Sequence, residues 1–203
     1  MTTILLVRHG ETAHNAAGIW QGHSDIPLSD FGRTQAHALR VHLPSLLESP
    51  TLPVLFVSSD LCRATETADI IRLNVQSTVV QQDADLRERG YGSWEGKSRE
   101  TCARLWPEHT RPHDGESWND VVIRMRRGFH NVLQRSHLYN AAVIVGHGAS
   151  LKAIVAHVLY PNSVLPEPPA CIMSNTGVTV LRLGDDSVWR VTSLNDVSHI
   201  KKG

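Results

Sequence analysis

Two histidines in this chain stand where an apolar run ends beside glycine. One lies in Leu5-Leu6-Val7-Arg8-His9-Gly10-Glu11-Thr12, the other in Val145-Gly146-His147-Gly148. A run of this kind reads as a buried strand whose C-terminal end delivers a side chain into a site. Two such ends would bring His9, His147 and Arg8 together. That set suits holding and attacking a phosphoryl group, because a neutral imidazole is a nucleophile and a guanidinium binds phosphate oxygens with a planar fork. In-line attack by His9 would give a phosphohistidine whose P–N bond water can cleave, so one hard displacement becomes two easier ones. The ring must be aimed, which calls for a hydrogen bond from its other nitrogen to an acceptor such as the backbone carbonyl near Gly10. Arg8 stands where strand alternation would suit an apolar residue, so its charge needs a partner.

The elements that must carry these residues follow from pattern. Short apolar runs at 4–7, 54–57, 78–80 and 143–145 alternate with longer helical stretches. That order predicts an α/β fold, a three-layer sandwich with a mainly parallel central sheet and helices on both faces. Leu61, Ala64, Ala68 and Ile71 recur at helical spacing, as do Val122, Met125, Phe129 and Val132, and Leu151, Ile154, Val155, Val158 and Leu159. A further helix is predicted over 34–47, with Pro44 kinking or ending it. The stretches 177–183 and 188–194 flank Gly184-Asp185-Asp186-Ser187 and read as a hairpin on the sheet, whose free edge offers a homodimer contact. The stretch 106–117, with two prolines and a glycine, is the expected excursion over the sheet. Ligands bind beyond the C-terminal ends of parallel strands, and His9, Ser58 and His147 all fall at such ends.

Composition narrows the partners. A chain of 203 residues is expected to be one domain over 1–203. Twenty basic and twenty acidic residues give zero formal charge, which argues against nucleic-acid or anionic-membrane surfaces. Cys62, Cys102 and Cys171 lack metal-ligand spacing and read as free thiols of a reducing compartment. The N-terminus shows no basic leader or long apolar segment, so a cytoplasmic protein is expected. Twelve histidines invite a metal. Yet Pro112 breaks any helix aligning His109 with His113, and His37 and His42 do not share a helical face. No metal and no cofactor are expected.

Arg8-His9-Gly10-Glu11-Thr12 with Asn15 resembles the signature of the histidine phosphatase superfamily, the phosphoglycerate mutase-like family. The likeness continues through Gln21-Gly22 with Asp25, Pro27-Leu28, Gly32 and Gln35-Ala36. It runs on through the block from Ser58 to Ala68, then Leu86-Arg87-Glu88, Gly92-Ser93-Trp94-Glu95-Gly96, Gly115-Glu116-Ser117 and Gly146-His147-Gly148. These blocks, in family order, cover nearly the whole chain.

This resemblance implies His9 as nucleophile, Arg8 and Arg63 as a phosphate clamp, and His147 as a further phosphate donor. Glu88 would be general acid and then base. Charge pattern alone leaves Asp83, Asp85, Glu95 and Glu11 as rivals, and family position selects Glu88. Glu11 is expected as a structural partner near the mouth and Glu95 as a surface or lid residue. Asn15, Gln21, Gly22 and Gly148 would bind substrate, although Asn15 could equally cap a helix. Arg63 is expected just inside a helix capped by Ser59 or Asp60, whose N-terminus favours an anion. Trp20 is placed near the pocket; Trp94, Trp106, Trp118 and Trp189 are assigned to packing.

The implied activity is a cofactor-free phosphomonoesterase acting on small phosphorylated metabolites, such as α-ribazole phosphate or phosphoserine. A 2,3-bisphosphoglycerate-dependent phosphoglycerate mutase is the alternative. The mutases of the family carry an insertion with paired arginines after the general-acid block. Here 96–115 is short and has no Arg-Arg pair, although Tyr91 and Arg99 partly match other mutase contacts. A catalytically inactive phospho-ligand-binding regulatory protein is the reading from another class. It calls for loss of the nucleophile, the acid or an arginine, and none is missing.

Overall fold

The computed structural model describes residues 3–49, 52–105, 112–160 and 170–200. One sheet contains β1 (Thr3–Arg8), β2 (Val54–Ser58), β3 (Gln81–Gln82), β4 (Ala141–Gly146), β5 (Val178–Leu183) and β6 (Trp189–Asp196). Their order across the sheet is β3-β2-β4-β1-β5-β6. β3, β2, β4 and β1 pair in parallel, while β5 runs antiparallel to β1 and to β6. β6 forms one edge.

Side chains alternate across the sheet as strand geometry requires. Ile4, Leu6, Leu55, Val57, Ala142 and Ile144 pack into one layer with α5 (Trp118–Ser136) and α6 (Gly148–Leu159). Leu5, Val7, Val54, Phe56, Ala141, Val143 and Val145 pack into the other with α2 (Asp30–His42) and α3 (Cys62–Ile71). Both faces are covered, so the central strands read as unbroken apolar runs. Two short helices, α1 (Ala13–Ala16) and α4 (Arg99–Leu105), lie outside these layers.

Several expectations shift. The strand expected at 78–80 is displaced to Gln81–Gln82. Thr78 is occupied by an irregular contact instead, its hydroxyl accepting from Phe56 N at 3.1 Å, and Val79 is 77% exposed. The helix expected from residue 34 starts at Asp30, where the Ser29 side chain accepts from Gly32 N. Pro44 falls in a 3₁₀ turn, Leu43–Leu46, that follows α2. α5 opens with a Ser117–Asp120 capping box and buries Val121 in preference to Val122, with Met125, Phe129 and Val132 below it. Trp94 and Trp118 are buried, and Trp189 packs partly against the core. Trp106 and His109 lie outside the described residues. No described helix is long and apolar enough to cross a membrane.

The register of the central strands positions the site. Arg8 pairs with Gly146 and Ser58 with Val145. His9 and His147 therefore leave neighbouring parallel strands at the same level, and His9 N donates to Gly146 O at 3.0 Å. A close approach behind His9 needs glycine at position 10, since a Cβ there would fall 2.5 Å from Gly32 O.

Candidate active site

The two histidine rings lie with centroids 5.1 Å apart. His9 is 2% exposed and His147 0%. Their hydrogen bonds assign opposite tautomers. His9 Nδ1 lies 2.6 Å from Gly10 O, and a carbonyl only accepts, so Nδ1 carries the proton and Nε2 the lone pair. Arg63 Nε lies 3.2 Å from His147 Nδ1, and a guanidinium only donates, so here Nδ1 carries the lone pair and Nε2 the proton. Among the described residues, neither His147 Nε2 nor Arg8 Nε, both buried, has a partner. Buried donors are almost always satisfied, so two orphans at one strand-end cluster mark a place for an acceptor.

Burial is the main cause that keeps both rings neutral. His9 is held well below the ordinary histidine range, first by desolvation and then by Arg8 and Arg63. His147 is lowered in the same way, with Arg63 its largest charged neighbour. Unfolded histidines take up protons near pH 6.5, while these two resist protonation in the folded state. Stability of the ligand-free protein should therefore fall as pH drops below about 6.5, by up to roughly 1.4 kcal/mol per pH unit for each ring. Denaturant titrations on either side of that pH measure it. His9→Asn should flatten the slope, and an unchanged slope would show that the His9 ring is already protonated when folded.

Arg63 is 1% exposed in the first turn of α3. Its Nη1 donates to Ser24 O and its Nη2 to Gly22 O, each at 2.8 Å. The expected cap on this helix is corrected. The Leu61 N-cap makes no side-chain bond, and Asp25 Oδ1 accepts from Cys62 N at 2.7 Å. Asp60 instead pairs with Arg87 through bonds of 2.7 and 2.5 Å. The helix N-terminus that meets the pocket is that of α6, and Glu88 occupies it. Glu88 Oε1 accepts from Arg89 N at 2.9 Å and from Ala149 N and Ser150 N at 3.1 Å each. Arg8 Nη1 donates to Met173 O at 2.6 Å, which supplies its partner.

A cavity of about 380 Å³ is lined by Arg8, His9, Asn15, Gln21, Arg63, Glu88 and Gly148 among others, while His147 is wholly buried and not part of the lining. Asn15 lines the cavity and is not itself the helix cap, which is Thr12. It closes a capping box with Thr12, and its Oδ1 also accepts from Asn175 Nδ2 at 3.2 Å, which leaves its amide for the pocket. Gln21 Oε1 accepts from Thr12 Oγ1 at 2.8 Å. Gly22 is not part of the lining and reaches the site only through its carbonyl on Arg63. Trp20 does line it, with Tyr91 4.3 Å away and Arg99 over its ring at 5.0 Å.

The rival carboxylates are engaged elsewhere. Glu11 Oε1 accepts from Ser29 Oγ, Asp83 accepts from Asp85 N, and Asp85 pairs with Arg127. Glu95 is not a surface or lid residue. Its Oε1 accepts from His23 N and Tyr91 N, and its Oε2 from Ser24 N and Ser24 Oγ, all within 3.0 Å. It thereby ties down the loop whose carbonyls hold Arg63. Gly22 has φ +51°, and a Cβ there would fall 1.9 Å from Glu95 Oε1, so this turn requires glycine.

Residues not singled out from sequence also arrive. Lys152 lines the pocket one turn after Gly148, a spacing that could have disclosed it. Met173 and Asn175 come from a distant loop with no local signal, and Asn175 Nδ2 donates to His9 O at 3.0 Å. Among the described residues, no group of three or more His, Cys, Asp or Glu side chains is placed to hold a metal ion.

Comparison with known proteins extends this geometry. The chain is 32% identical to phosphoglycerate mutase-like protein 4 of Arabidopsis thaliana, over 98% of this chain and 87% of that one. It is 32% identical to a metal-independent phosphoserine phosphatase of the same plant, over 98% and 84%. The solved structure of a mycobacterial glucosyl-3-phosphoglycerate phosphatase with VO3 matches at a TM-score of 0.80 and 31% identity, covering 95% of this chain and 98% of that one. The family described as "Histidine phosphatase superfamily (branch 1)" matches residues 4–197, from β1 past the end of β6. Because that match takes in both histidine-bearing strand ends and the sheet that aligns them, the chain belongs to the histidine phosphatase superfamily.

Proposed function

We propose that this chain is a single-domain, cofactor-free phosphomonoesterase that hydrolyses small phosphorylated metabolites through a phosphohistidine on His9. The observation that carries this reading is the pair of opposed tautomers, a buried lone pair on His9 Nε2 beside a buried, unpartnered N–H on His147. One ring attacks phosphorus while the other donates to a phosphoryl oxygen. Arg8 and Arg63 supply further donors where charge spreads over the equatorial oxygens. The Asn15 amide and the space beside Gly148 complete the phosphate cradle.

In the first step the Nε2 lone pair forms the P–N bond as the P–O ester bond breaks, and Glu88 gives its proton to the leaving oxygen. In the second, Glu88 takes a proton from water, the water oxygen attacks phosphorus, and the P–N electron pair returns to Nε2. Among the described residues, five cations line the pocket, Arg8, Arg63, Arg89, Arg99 and Lys152, against the single carboxylate of Glu88. That balance favours substrates with a second anionic group beyond the phosphate. The relatives named for phosphoserine and glucosyl-3-phosphoglycerate act on molecules that carry a carboxylate.

A mutase would use the same phosphohistidine but must exclude water and rebind a bisphosphate. The short segment between Gly96 and Gly115 holds no adjacent arginine pair for that task. Paired assays on one preparation in EDTA decide the matter: phosphate release from monoesters, and interconversion of 3- and 2-phosphoglycerate, each with and without 2,3-bisphosphoglycerate. Phosphate release without priming is expected. Mutase turnover faster by orders of magnitude and dependent on priming would refute the phosphatase reading. No turnover of any monoester, p-nitrophenyl phosphate included, would point to a phospho-ligand binder.

A further inference from the structure

Arg124 lies on α5, outside the pocket lining, yet all five of its N–H donors have acceptors. Nη1 donates to Asp85 O at 2.9 Å and Arg87 O at 2.7 Å, and Nη2 to Glu88 O at 3.0 Å. Nε and the second Nη2 hydrogen meet Glu116 Oε1 and Oε2 at 2.7 and 2.6 Å. Three bonds thus converge on the backbone of four consecutive residues ending at Glu88. That segment leaves a 3₁₀ turn, Ala84–Leu86, and enters no strand, so its carbonyls need donors from elsewhere.

The partner carboxylate grips the other side. Glu116 Oε2 accepts from Gly90 N at 2.7 Å, and Arg89 Nε donates to Glu116 O at 2.9 Å. Glu88 O also accepts from His23 Nε2 at 2.8 Å. The main chain of Glu88 is therefore fixed before and after the residue, while its carboxylate rests on the α6 amides.

We propose that Arg124, locked to Glu116, is a positioning residue for proton transfer, holding the Glu88 backbone so that its carboxyl reaches the leaving oxygen. This rests on Glu88 being the general acid. A fork is needed, because a lysine ammonium cannot span three carbonyls and a carboxylate at once. A general acid matters most when the leaving group is a poor one, so misplacing it should penalise alkyl phosphates more than p-nitrophenyl phosphate.

The test compares single-turnover phosphorylation of these two substrates in wild type, Glu88→Gln, Arg124→Lys and the double variant. Arg124→Lys should slow the alkyl substrate at least about tenfold more than the aryl one. Vanadate inhibition, which reports the His9, Arg8, Arg63 and His147 end, should stay within about twofold. In the Glu88→Gln background the lysine should add nothing to the ratio, because the two residues act as one unit. Equal losses on both substrates, or an extra loss of ratio in the double variant, would overturn the proposal. If Glu88→Gln shows the bias and Arg124→Lys does not, only the positioning role falls. If Glu88→Gln shows none, the acid assignment falls and takes this proposal with it. Should Arg124→Lys fail to fold, Glu116→Gln keeps the partner's shape, removes its charge and is read by the same ratio, with a bias of the same sign expected and its absence overturning the role.

Discussion

His9→Ala should lower turnover by about 10⁴-fold or more, the result of closing a covalent route rather than weakening binding. The main chain should survive the change. His9 N is held by Gly146 O at 3.0 Å, and His9 O accepts from Asn175 Nδ2 at 3.0 Å and Thr176 N at 3.3 Å, none of which needs the ring. Circular dichroism should therefore match wild type. Rapid quenching of wild type during turnover should trap a phosphoenzyme that survives base and decays in acid, as a phosphoramidate does, and the variant should show none. The obvious rival nucleophile at a strand end is Ser58, whose hydroxyl has no partner among the described residues. Phosphate recovered on serine or aspartate would overturn the assignment to His9.

The parts of this site that were legible in sequence are those fixed by local pattern. β1 and β4 are covered on both faces, so each reads as an apolar run with an abrupt end, and the ends name His9 and His147. β3 was misplaced because only two residues pair with β2 at that edge, too few to impose a period. Residues whose role depends on distant backbone left no such mark. Glu95 sits between tryptophan and glycine like a turn carboxylate on the surface, and nothing nearby shows that donors from residues 23, 24 and 91 converge on it. Arg124 adjoins the buried Met125 on an amphipathic helix and reads as a solvated flank. Its carbonyl acceptors lie 36 to 39 residues earlier, and its carboxylate partner Glu116 lies two turns away, before the helix begins. The α3 cap failed for the same reason: Asp25 reaches Cys62 N across 37 residues of chain, while the local candidate Asp60 is taken by Arg87.

The other large effect is expected at Arg63, and it has two parts. Arg63→Ala removes a preorganised cation from the phosphate, which alone should lower kcat/KM by roughly 10²- to 10³-fold. It also removes the Arg63 Nε donor, which holds His147 Nδ1 as an acceptor. The proton on His147 is then free to sit on Nδ1, which turns the Nε2 lone pair toward a phosphate oxygen and converts attraction into repulsion. The combined loss should thus exceed about 10³-fold. Arg63→Lys should recover little, because an ammonium cannot bond Gly22 O, Ser24 O and His147 together. Leaving those two carbonyls unpaired costs about 1–3 kcal/mol each, which a thermal melt will register as a lower Tm. The tautomer argument makes a sharper demand on the double variant. If Arg63 sets the His147 proton, then His147→Gln added to Arg63→Ala should cost far less than His147→Gln does alone. Fully multiplicative losses in kcat/KM and vanadate affinity would mean that the histidine keeps its tautomer without the arginine, and that the two donors meet the phosphate independently.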